Sequence, residues 1–159
     1  MNSAPNVKWM RQAARLAQRG VATNQGGPFG AVIVRDGVVV SRGFNRVIGT
    51  NDPTAHAEVV AIRQACRKLG TFVLSGCEIY ASCEPCPMCL AAIHWARMDR
   101  VWFACDRHDA ARAGFDDARL YDELDKPPTE RRLPVVQTFR EAGVPAFQAW
   151  IAKADRTAY

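Results

Sequence analysis

The chain is organised around two segments: Thr-Ala-His-Ala-Glu at residues 54–58 and Ser-Cys-Glu-Pro-Cys-Pro-Met-Cys at residues 82–89. Each places side chains that bind metals at the expected start of a helix. Pro87 suits a first helical turn, and Cys86 and Cys89, three residues apart, share one side of that turn. The free N–H groups of a helix start favour thiolate, the form of cysteine that binds metal ions.

His56 and Glu58 are two residues apart, roughly 200° around an ideal helix, so they serve one site only if it lies off the helix end. His56, Cys86 and Cys89 supply three ligands, and a zinc ion with a vacant fourth position is typical of a catalytic site. We therefore expect one Zn²⁺ per subunit. Glu58 is not needed as a ligand and is predicted to be the general base that carries protons from water to a substrate.

Cys83 leaves a different kind of site open. The spacing Cys83-x-x-Cys86-x-x-Cys89 also permits a closed Cys₃His zinc site, which would make the chain a structural or nucleic-acid-binding module instead of an enzyme. The catalytic site is favoured over this closed site, because Cys83 ends an apparent strand, where a small buried residue is expected.

Length and composition limit the classes of protein to which this chain can belong. A chain of 159 residues is predicted to be one domain, residues 1–159, with an ordinary core. No apolar run approaches the length of about 18 residues that spans a membrane, and the N-terminus lacks a signal-peptide pattern. Two of the six cysteines fit a metal site and the others fall in apolar elements, so we expect a cytoplasmic protein without disulfides.

The net charge of +5 is uneven: residues 1–70 carry 10 Lys/Arg against 3 Asp/Glu, and residues 71–159 carry 11 against 13. Basic residues recur at helical spacing in the first segment, at Lys8, Arg11 and Arg15. A solvated helix face is favoured over a nucleic-acid surface, because no aromatic residues interleave with these cations.

Hydrophobic patterning predicts an α/β fold, with a mixed sheet of about five strands between helices. Helices are expected over 5–20, 56–68, 86–96, 118–124 and 145–154, and strands over 29–35, 38–43, 77–82, 100–105 and 134–139. Asp36-Gly37 is predicted to be the turn of a hairpin between the first two strands. Both metal segments then begin helices at one edge of the sheet, where sites of such folds form.

Three further residues are candidates for a pocket that holds a planar heterocycle. Phe29 follows a Gly-Gly-Pro loop and supplies either an aromatic wall or core packing. Asn45 leaves the second strand, and its amide either binds a ring carbonyl and a ring N–H or caps a turn. Trp95 lies six residues after Cys89 and borders the pocket or only packs.

The chain resembles the cytidine deaminase-like superfamily, and within it the small bacterial guanine deaminases. The resemblance covers nearly the whole chain and rests on four motifs and the tail. These are Gly-Pro-Phe-Gly-Ala-Val at 27–32, Asn-Asp-Pro-Thr-Ala-His-Ala-Glu at 51–58, Cys-Glu-Pro-Cys-Pro-Met-Cys at 83–89, Ala-Gly-Phe-Asp-Asp at 113–117, and the aromatic segment 145–150 with Tyr159. The pattern His-x-Glu followed by Pro-Cys-x-x-Cys is the signature of zinc deaminases.

The resemblance implies a three-layer α/β/α cytidine deaminase-like fold and a role for each motif residue. His56, Cys86 and Cys89 would bind zinc, and Glu58 would shuttle protons. A second set would contact the purine: Phe29, Asn45, Trp95, Asp117 and Tyr159. Asp117 would also be a second catalytic acid, although its residue type alone suggests a solvated loop. A homodimer would exchange the C-terminal segment from about residue 127, with Pro127-Pro128 near the hinge and Tyr159 reaching the partner's site.

The implied reaction is hydrolytic deamination of guanine to xanthine and ammonia, by attack of zinc-activated hydroxide with Glu58 as the proton carrier. The alternatives are a tRNA adenosine deaminase or a deaminase of guanosine, ammeline, cytosine or cytidine. Residues 106–126 hold seven acids against four bases. That balance disfavours a polyanion, so a small-molecule partner is expected, and neither nucleic acid nor a membrane.

Overall fold

The computed structural model describes residues 4–158. They fall into two compact units that divide between Leu120 and Tyr121. The expectation of one domain with a separate C-terminal segment from about residue 127 stays a prediction. No helix in the described range is long and apolar enough to cross a membrane.

The first unit is built on a four-stranded sheet. In chain order its elements are α1 (Val7–Ala22), β1 (Gly30–Arg35), β2 (Val38–Phe44), α2 (Val47–Thr50), α3 (Ala57–Leu69), β3 (Cys77–Cys83), α4 (Pro87–Trp95), β4 (Arg100–Cys105), α5 (Arg107–Arg112) and the start of α6 (Asp117–Asp125). The strand order is β2-β1-β3-β4. β1 is antiparallel to β2 and β3, and β3 is parallel to β4, so the predicted mixed sheet is confirmed.

Helices cover both faces of the sheet, because successive side chains of a strand point to opposite sides. On one face Val32, Val34 and Tyr80 form a buried cluster with Ala13 of α1. On the other face Ala31, Ile33 and Ile79 pack with the buried alanines of α3 and with Ile93 of α4. The three-layer α/β/α fold is therefore confirmed.

A close approach between β2 and α3 sets the position of the helix that carries the first metal segment. A Cβ atom on Gly43 would lie 2.1 Å from the carbonyl oxygen of Ala57, so only glycine lets α3 pack this close to the strand. Ser41 Oγ donates a hydrogen bond of 2.7 Å to the Ala61 carbonyl one turn further along. The start of α3 is thus fixed against the sheet.

The second unit comprises the end of α6, a 3₁₀ turn at Pro128–Glu130 and α7 at Arg140–Ala152. The predicted fifth strand at 134–139 does not form, and the sheet has four strands. Val135, Val136 and Phe139 are exposed, so this apolar run has no buried face to stabilise a strand. Phe139 also adopts a left-handed conformation, with φ of 50°, which ends the extended stretch.

Two helix predictions also need correction. α7 begins at Arg140, five residues before Pro145, which lies inside the helix and not at its start. Residues 107–112 form the short helix α5, which is not among the predicted helices. Asp106 and Asp109 stabilise its start through a reciprocal capping box, a local signal that the sequence contained.

Candidate active site

The two metal segments meet as predicted, at the starts of α3 and α4. His56 is the N-cap residue of α3 and Cys86 is the N-cap residue of α4, with Pro87 in the first turn. The Nδ1 atom of His56 lies 3.6 Å from the Sγ atoms of both Cys86 and Cys89. The three ligand atoms all lie within 4.8 Å of one another.

This arrangement fits zinc. Bonds of about 2.3 Å to sulfur and about 2.05 Å to nitrogen at a tetrahedral angle separate the two ligand atoms by about 3.6 Å, which matches the distances from His56 Nδ1 to both sulfurs. Hydrogen bonding by Cys89 and His56 lowers the pKa of the Cys86 thiol, so thiolate is favoured at the cluster.

Cys83 does not complete a fourth corner. Its Sγ atom faces the Asp106 carbonyl oxygen at 3.4 Å, and the ligand cluster found among the described residues consists of His56, Cys86 and Cys89. Burial raises the pKa of the Cys83 thiol to about 12, so this sulfur is protonated and acts as a hydrogen-bond donor. The geometry leaves a catalytic type of site with three protein ligands.

Glu58 lies in the first turn of α3, beside the ligands, and is only 6% exposed. Burial raises the pKa of its carboxyl group to about 7 in the metal-free chain. A carboxyl group with a pKa near neutrality can both accept and release a proton under ordinary conditions. Its position beside the ligands suits the predicted proton carrier.

A cavity of about 250 Å³ opens in front of this cluster. His56, Glu58 and Cys86 form one end of it. The remaining described lining residues are Gly27, Phe29, Asn45, Val47, Ile48, Pro53, Glu84, Phe115 and Asp117. The volume lies just below the range of about 300–1,000 Å³ that holds drug-sized ligands, so the cavity suits a single small ring system.

Phe29 and Asn45 both lie in this cavity, as the sequence suggested. The rings of Phe29 and Phe115 meet edge to face, with centroids 4.8 Å apart, and form an aromatic wall. Asn45 is buried, and its Oδ1 accepts a 3.1 Å hydrogen bond from the Val47 N–H. The Asn45 side chain therefore caps a turn and also lines the cavity, and its binding of a ring carbonyl and a ring N–H stays a prediction.

Gly26 makes room for the Asn45 carboxamide. A Cβ atom on Gly26 would lie 2.1 Å from Asn45 Oδ1, so any other residue would displace that group. The backbone around Asn45 is also fixed: its N–H donates to the Phe29 carbonyl, and the Arg46 N–H donates to the Ala55 carbonyl just before His56. The loop that carries Asn45 is thus held against the segment that carries the metal ligand His56.

Asp117 lies at the start of α6 and lines the cavity, whereas Asp116 is exposed and pairs with Arg119. Burial, and then the charge of Cys86, raise the pKa of Asp117. The solvated loop that residue type alone suggested therefore describes Asp116 and not Asp117.

Trp95 is a candidate that lies at the protein surface. Trp95 is 60% exposed at the last residue of α4, with the Arg97 guanidinium 5.7 Å from its ring centroid, and it is not among the described lining residues. Tyr159 lies outside the residues that the structure describes. The roles given to these two side chains stay predictions.

Glu84 is a lining residue that sequence reasoning missed. It follows β3, and its carboxylate accepts hydrogen bonds of 3.0 Å from the Arg107 backbone N–H and from Arg107 Nε. The Arg107 guanidinium lowers the pKa of Glu84, so the carboxylate stays charged. Its place between Cys83 and Cys86 was the available signal. Phe115 belongs to the Ala-Gly-Phe-Asp-Asp motif, but no local pattern indicates that its ring contacts Phe29.

Comparison with known proteins agrees with this geometry. Residues 4–105 match the model of the cytidine and deoxycytidylate deaminase zinc-binding region, and the chain belongs to this family of zinc-dependent deaminases, which are hydrolases. The chain is 51% identical to the guanine deaminase of Bacillus subtilis over 151 residues, 95% of this chain and 97% of that protein. The X-ray structure of Bacillus subtilis guanine deaminase superposes with a TM-score of 0.93 at 49% identity, covering 98% and 99% of the two chains.

More distant relatives include a tRNA deaminase and a further guanine deaminase. The tRNA-specific adenosine deaminase of Aquifex aeolicus is 38% identical over 124 residues, 78% of this chain and 76% of that protein. A structure of guanine deaminase from Nitrosomonas europaea has a TM-score of 0.68 at 32% identity, covering 72% and 66% of the two chains. The fold and the zinc cofactor are common to the family, so they do not identify the substrate. The residues that line the cavity do distinguish between substrates.

Proposed function

We propose that this protein hydrolyses guanine to xanthine and ammonia. One observation carries the proposal: Asn45 and Asp117 lie in the same 250 Å³ cavity as Glu58 and the His56–Cys86–Cys89 cluster. Guanine presents a ring carbonyl, ring N–H groups and an exocyclic amine on one small planar ring system, and these groups match an amide and a carboxylate. The 51% identity to a guanine deaminase supports the same substrate.

Different residues of the cavity are proposed to bind different parts of the purine. The Asn45 carboxamide is proposed to bind the purine carbonyl and a ring N–H, while Phe29 and Phe115 supply the apolar wall beside the ring. Asp117 is proposed to accept hydrogen bonds from the edge that carries the exocyclic amine. These contacts orient the carbon that bears this amine toward Glu58.

Glu58 is the residue that transfers protons in the proposed reaction. We assign His56, Cys86 and Cys89 as the zinc ligands, and bound zinc supplies a Lewis acid that makes water reactive near neutral pH. Glu58 takes one proton from the attacking water and passes it to a ring nitrogen; it then takes the remaining proton of the hydroxyl group added to the carbon and delivers it to the departing amine. One water molecule is consumed, and one ammonia is released for each xanthine formed.

The cavity is less suited to tRNA, the substrate of the runner-up activity. Three carboxylates line it, Glu58, Glu84 and Asp117, and the described lining contains neither Lys nor Arg. A polyanion approaching this opening would meet repulsion, and the affinity of a protein for RNA comes largely from cations that contact phosphates.

The test compares the two substrates directly. Zinc-loaded protein is given free guanine and, separately, an adenosine-containing tRNA anticodon stem-loop, and kcat/KM is measured for each. We expect guanine to be favoured by at least about 10³-fold, because a site built to hydrogen-bond one ring edge rejects a base that lacks those groups. Inosine formation in the stem-loop at a comparable kcat/KM would overturn the proposal.

We also propose a homodimer that exchanges its C-terminal segments. None of residues 121–158 is buried in the single chain, and this segment exposes Leu133, Val136, Phe139, Phe147 and Ile151. Exposed apolar patches of this kind mark surfaces that another chain covers. The Pro127-Pro128 pair beside the 3₁₀ turn is the proposed hinge, and Tyr159 the residue carried to the partner's site.

We propose a cytoplasmic location on the state of the cysteines. The six cysteines form no disulfide: Cys86 and Cys89 are assigned to zinc, and the other four, including the exposed Cys105, are unpaired. A reducing compartment keeps such thiols from pairing.

A further inference from the structure

A second and larger cavity lies between α1 and the β1–β2 hairpin, away from the metal cluster. It is a groove of about 670 Å³, here named the α1 groove, and none of its lining residues lines the cavity in front of the metal cluster. It is lined by Lys8, Trp9, Gln12, Arg15, Leu16, Arg19, Gly37, Val38, Val39 and Arg42. Its volume falls in the range of about 300–1,000 Å³ typical of small-molecule sites.

The charge of the α1 groove is uncompensated. Four cations line it, Lys8, Arg15, Arg19 and Arg42, and no carboxylate is among its described lining residues. Residues 1–35 contain no Asp or Glu at all. Lys8 and Arg19 lie over the aromatic rings of Trp9 and Phe44, and these contacts leave their positive charges without an anion. Cations that line one concave surface make the local electrostatic potential more positive, which favours the binding of an anionic ligand.

The fourth cation reaches the groove through an irregularity in β2. The β1–β2 register shifts between Ile33 and Val34, which is a β-bulge in the opposite strand. Arg42 pairs with Val32, on the face that α1 covers, and the bulge brings Val39 to that same face although it is three residues away. The strand thus presents a cation and an apolar side chain together toward α1.

Gln12 adds an unsatisfied acceptor to the groove. Its Oε1 atom is buried and accepts no hydrogen bond within the described part of the chain. A buried acceptor without a partner costs free energy, which a ligand carrying an N–H or amine donor would recover. Leu16 and Val39 line the same groove, so it offers an apolar surface beside its cations, and this combination suits a nucleobase that carries phosphates.

We propose that the α1 groove binds a nucleoside polyphosphate, with Arg15, Arg19 and Arg42 on the phosphates and Gln12 at the base. A small ligand is favoured over single-stranded RNA because Trp9 is the one described aromatic residue that lines the groove, and Lys8 covers its ring. Sequence-tolerant strand binding relies on several aromatic platforms for successive bases. Guanidinium groups suit phosphates because their N–H donors match phosphate oxygens in pairs.

Isothermal titration of the zinc-loaded protein with GTP, guanosine and inorganic tripolyphosphate tests this proposal. GTP is expected to bind at least about tenfold more tightly than guanosine and more tightly than tripolyphosphate, since it carries both the base and the phosphates. Arg15→Glu and Arg42→Glu are each expected to weaken GTP binding at least about tenfold, with guanine turnover and thermal stability unchanged.

Arg11→Glu is the matched control, because Arg11 is an exposed cation of the same helix that does not line the groove. It should change GTP affinity less than about threefold. Asn45→Ala, in the other cavity, should leave GTP affinity unchanged. The proposal is overturned if GTP does not bind, if guanosine binds equally well, or if Arg11→Glu weakens binding as much as Arg15→Glu. Tighter binding of a single-stranded RNA oligonucleotide than of GTP would also overturn it.

Discussion

Glu58 is the residue on which the proposed chemistry depends most. The Glu58→Gln substitution keeps the size of the side chain but removes its capacity to carry a proton. We expect the variant to retain one zinc per chain while kcat on guanine falls at least about 10²-fold, the usual range for loss of a positioned acid–base group. Metal analysis and steady-state kinetics on the same sample measure both quantities. Loss of zinc, or a kcat within threefold of the parent protein, would contradict the assigned role.

Substitutions at Gly26 and Asn45 test the proposed recognition of the purine. A Cβ atom at Gly26 would lie 2.1 Å from Asn45 Oδ1, so Gly26→Ala should misplace the carboxamide that Asn45→Ala removes. Each variant is expected to lower kcat/KM for guanine at least about tenfold, since one hydrogen-bonded edge is lost.

The double variant separates this mechanism from unrelated damage. If Gly26 acts only through Asn45, then Gly26→Ala combined with Asn45→Ala should be no worse than the more severe single variant. Effects on kcat/KM that multiply would show that the two residues act independently and that the positioning argument is wrong.

Among the elements, the connection between β3 and α5 carries a testable ion pair. Glu84 is partly buried at the cavity and accepts hydrogen bonds from the backbone and side chain of Arg107 at the start of α5. Arg107→Met leaves this carboxylate without its cation and should lower the free energy of unfolding by about 1–3 kcal/mol at pH 7. Denaturant unfolding at fixed zinc concentration measures the change.

Arg112→Met is the control within the same helix. Arg112 pairs with Asp109 at the surface, where an ion pair contributes under about 1 kcal/mol. An equal loss of stability in the two variants would mean that helix propensity, and not the Glu84 contact, explains the effect.

The elements also show what the sequence could and could not predict. The metal helices were predictable because capping, proline placement and ligand spacing are local: His56 and Cys86 both fall at N-caps. The 134–139 run satisfied the local pattern of a strand, but a strand also needs a partner and a buried face, which no local pattern supplies.

The cavity was only partly predictable for a similar reason. Phe29 and Asn45 lie near glycine loops and a strand end, which mark functional positions. Glu84 and Phe115 enter the cavity through contacts with Arg107 and Phe29, distant in sequence, so their roles depended on the folded arrangement.

For the whole molecule, the proposed dimer makes a prediction about mass in solution. Light scattering should give twice the 17.6 kDa mass of the chain. Phe147→Asp places a charge on an apolar residue that is 72% exposed in the single chain and is proposed to be covered by the partner. Because burying an unpaired charge is costly, this variant should shift the protein toward monomer and lower turnover.

Val21→Asp is the comparison variant, since Val21 is an exposed valine of α1 outside the proposed exchanged segment. It should leave the mass unchanged. A parent protein that is monomeric at all concentrations and fully active would contradict the exchange of C-terminal segments.

Zinc-dependent hydrolysis of guanine is tested by following xanthine and ammonia together in one sample of zinc-loaded protein. We predict that the two products form in equal amounts, that chelation of the metal abolishes both, and that adding zinc back restores both. Protein that holds one zinc per chain, folds normally and produces no xanthine from guanine would contradict the claim while leaving the deaminase family and the metal site in place.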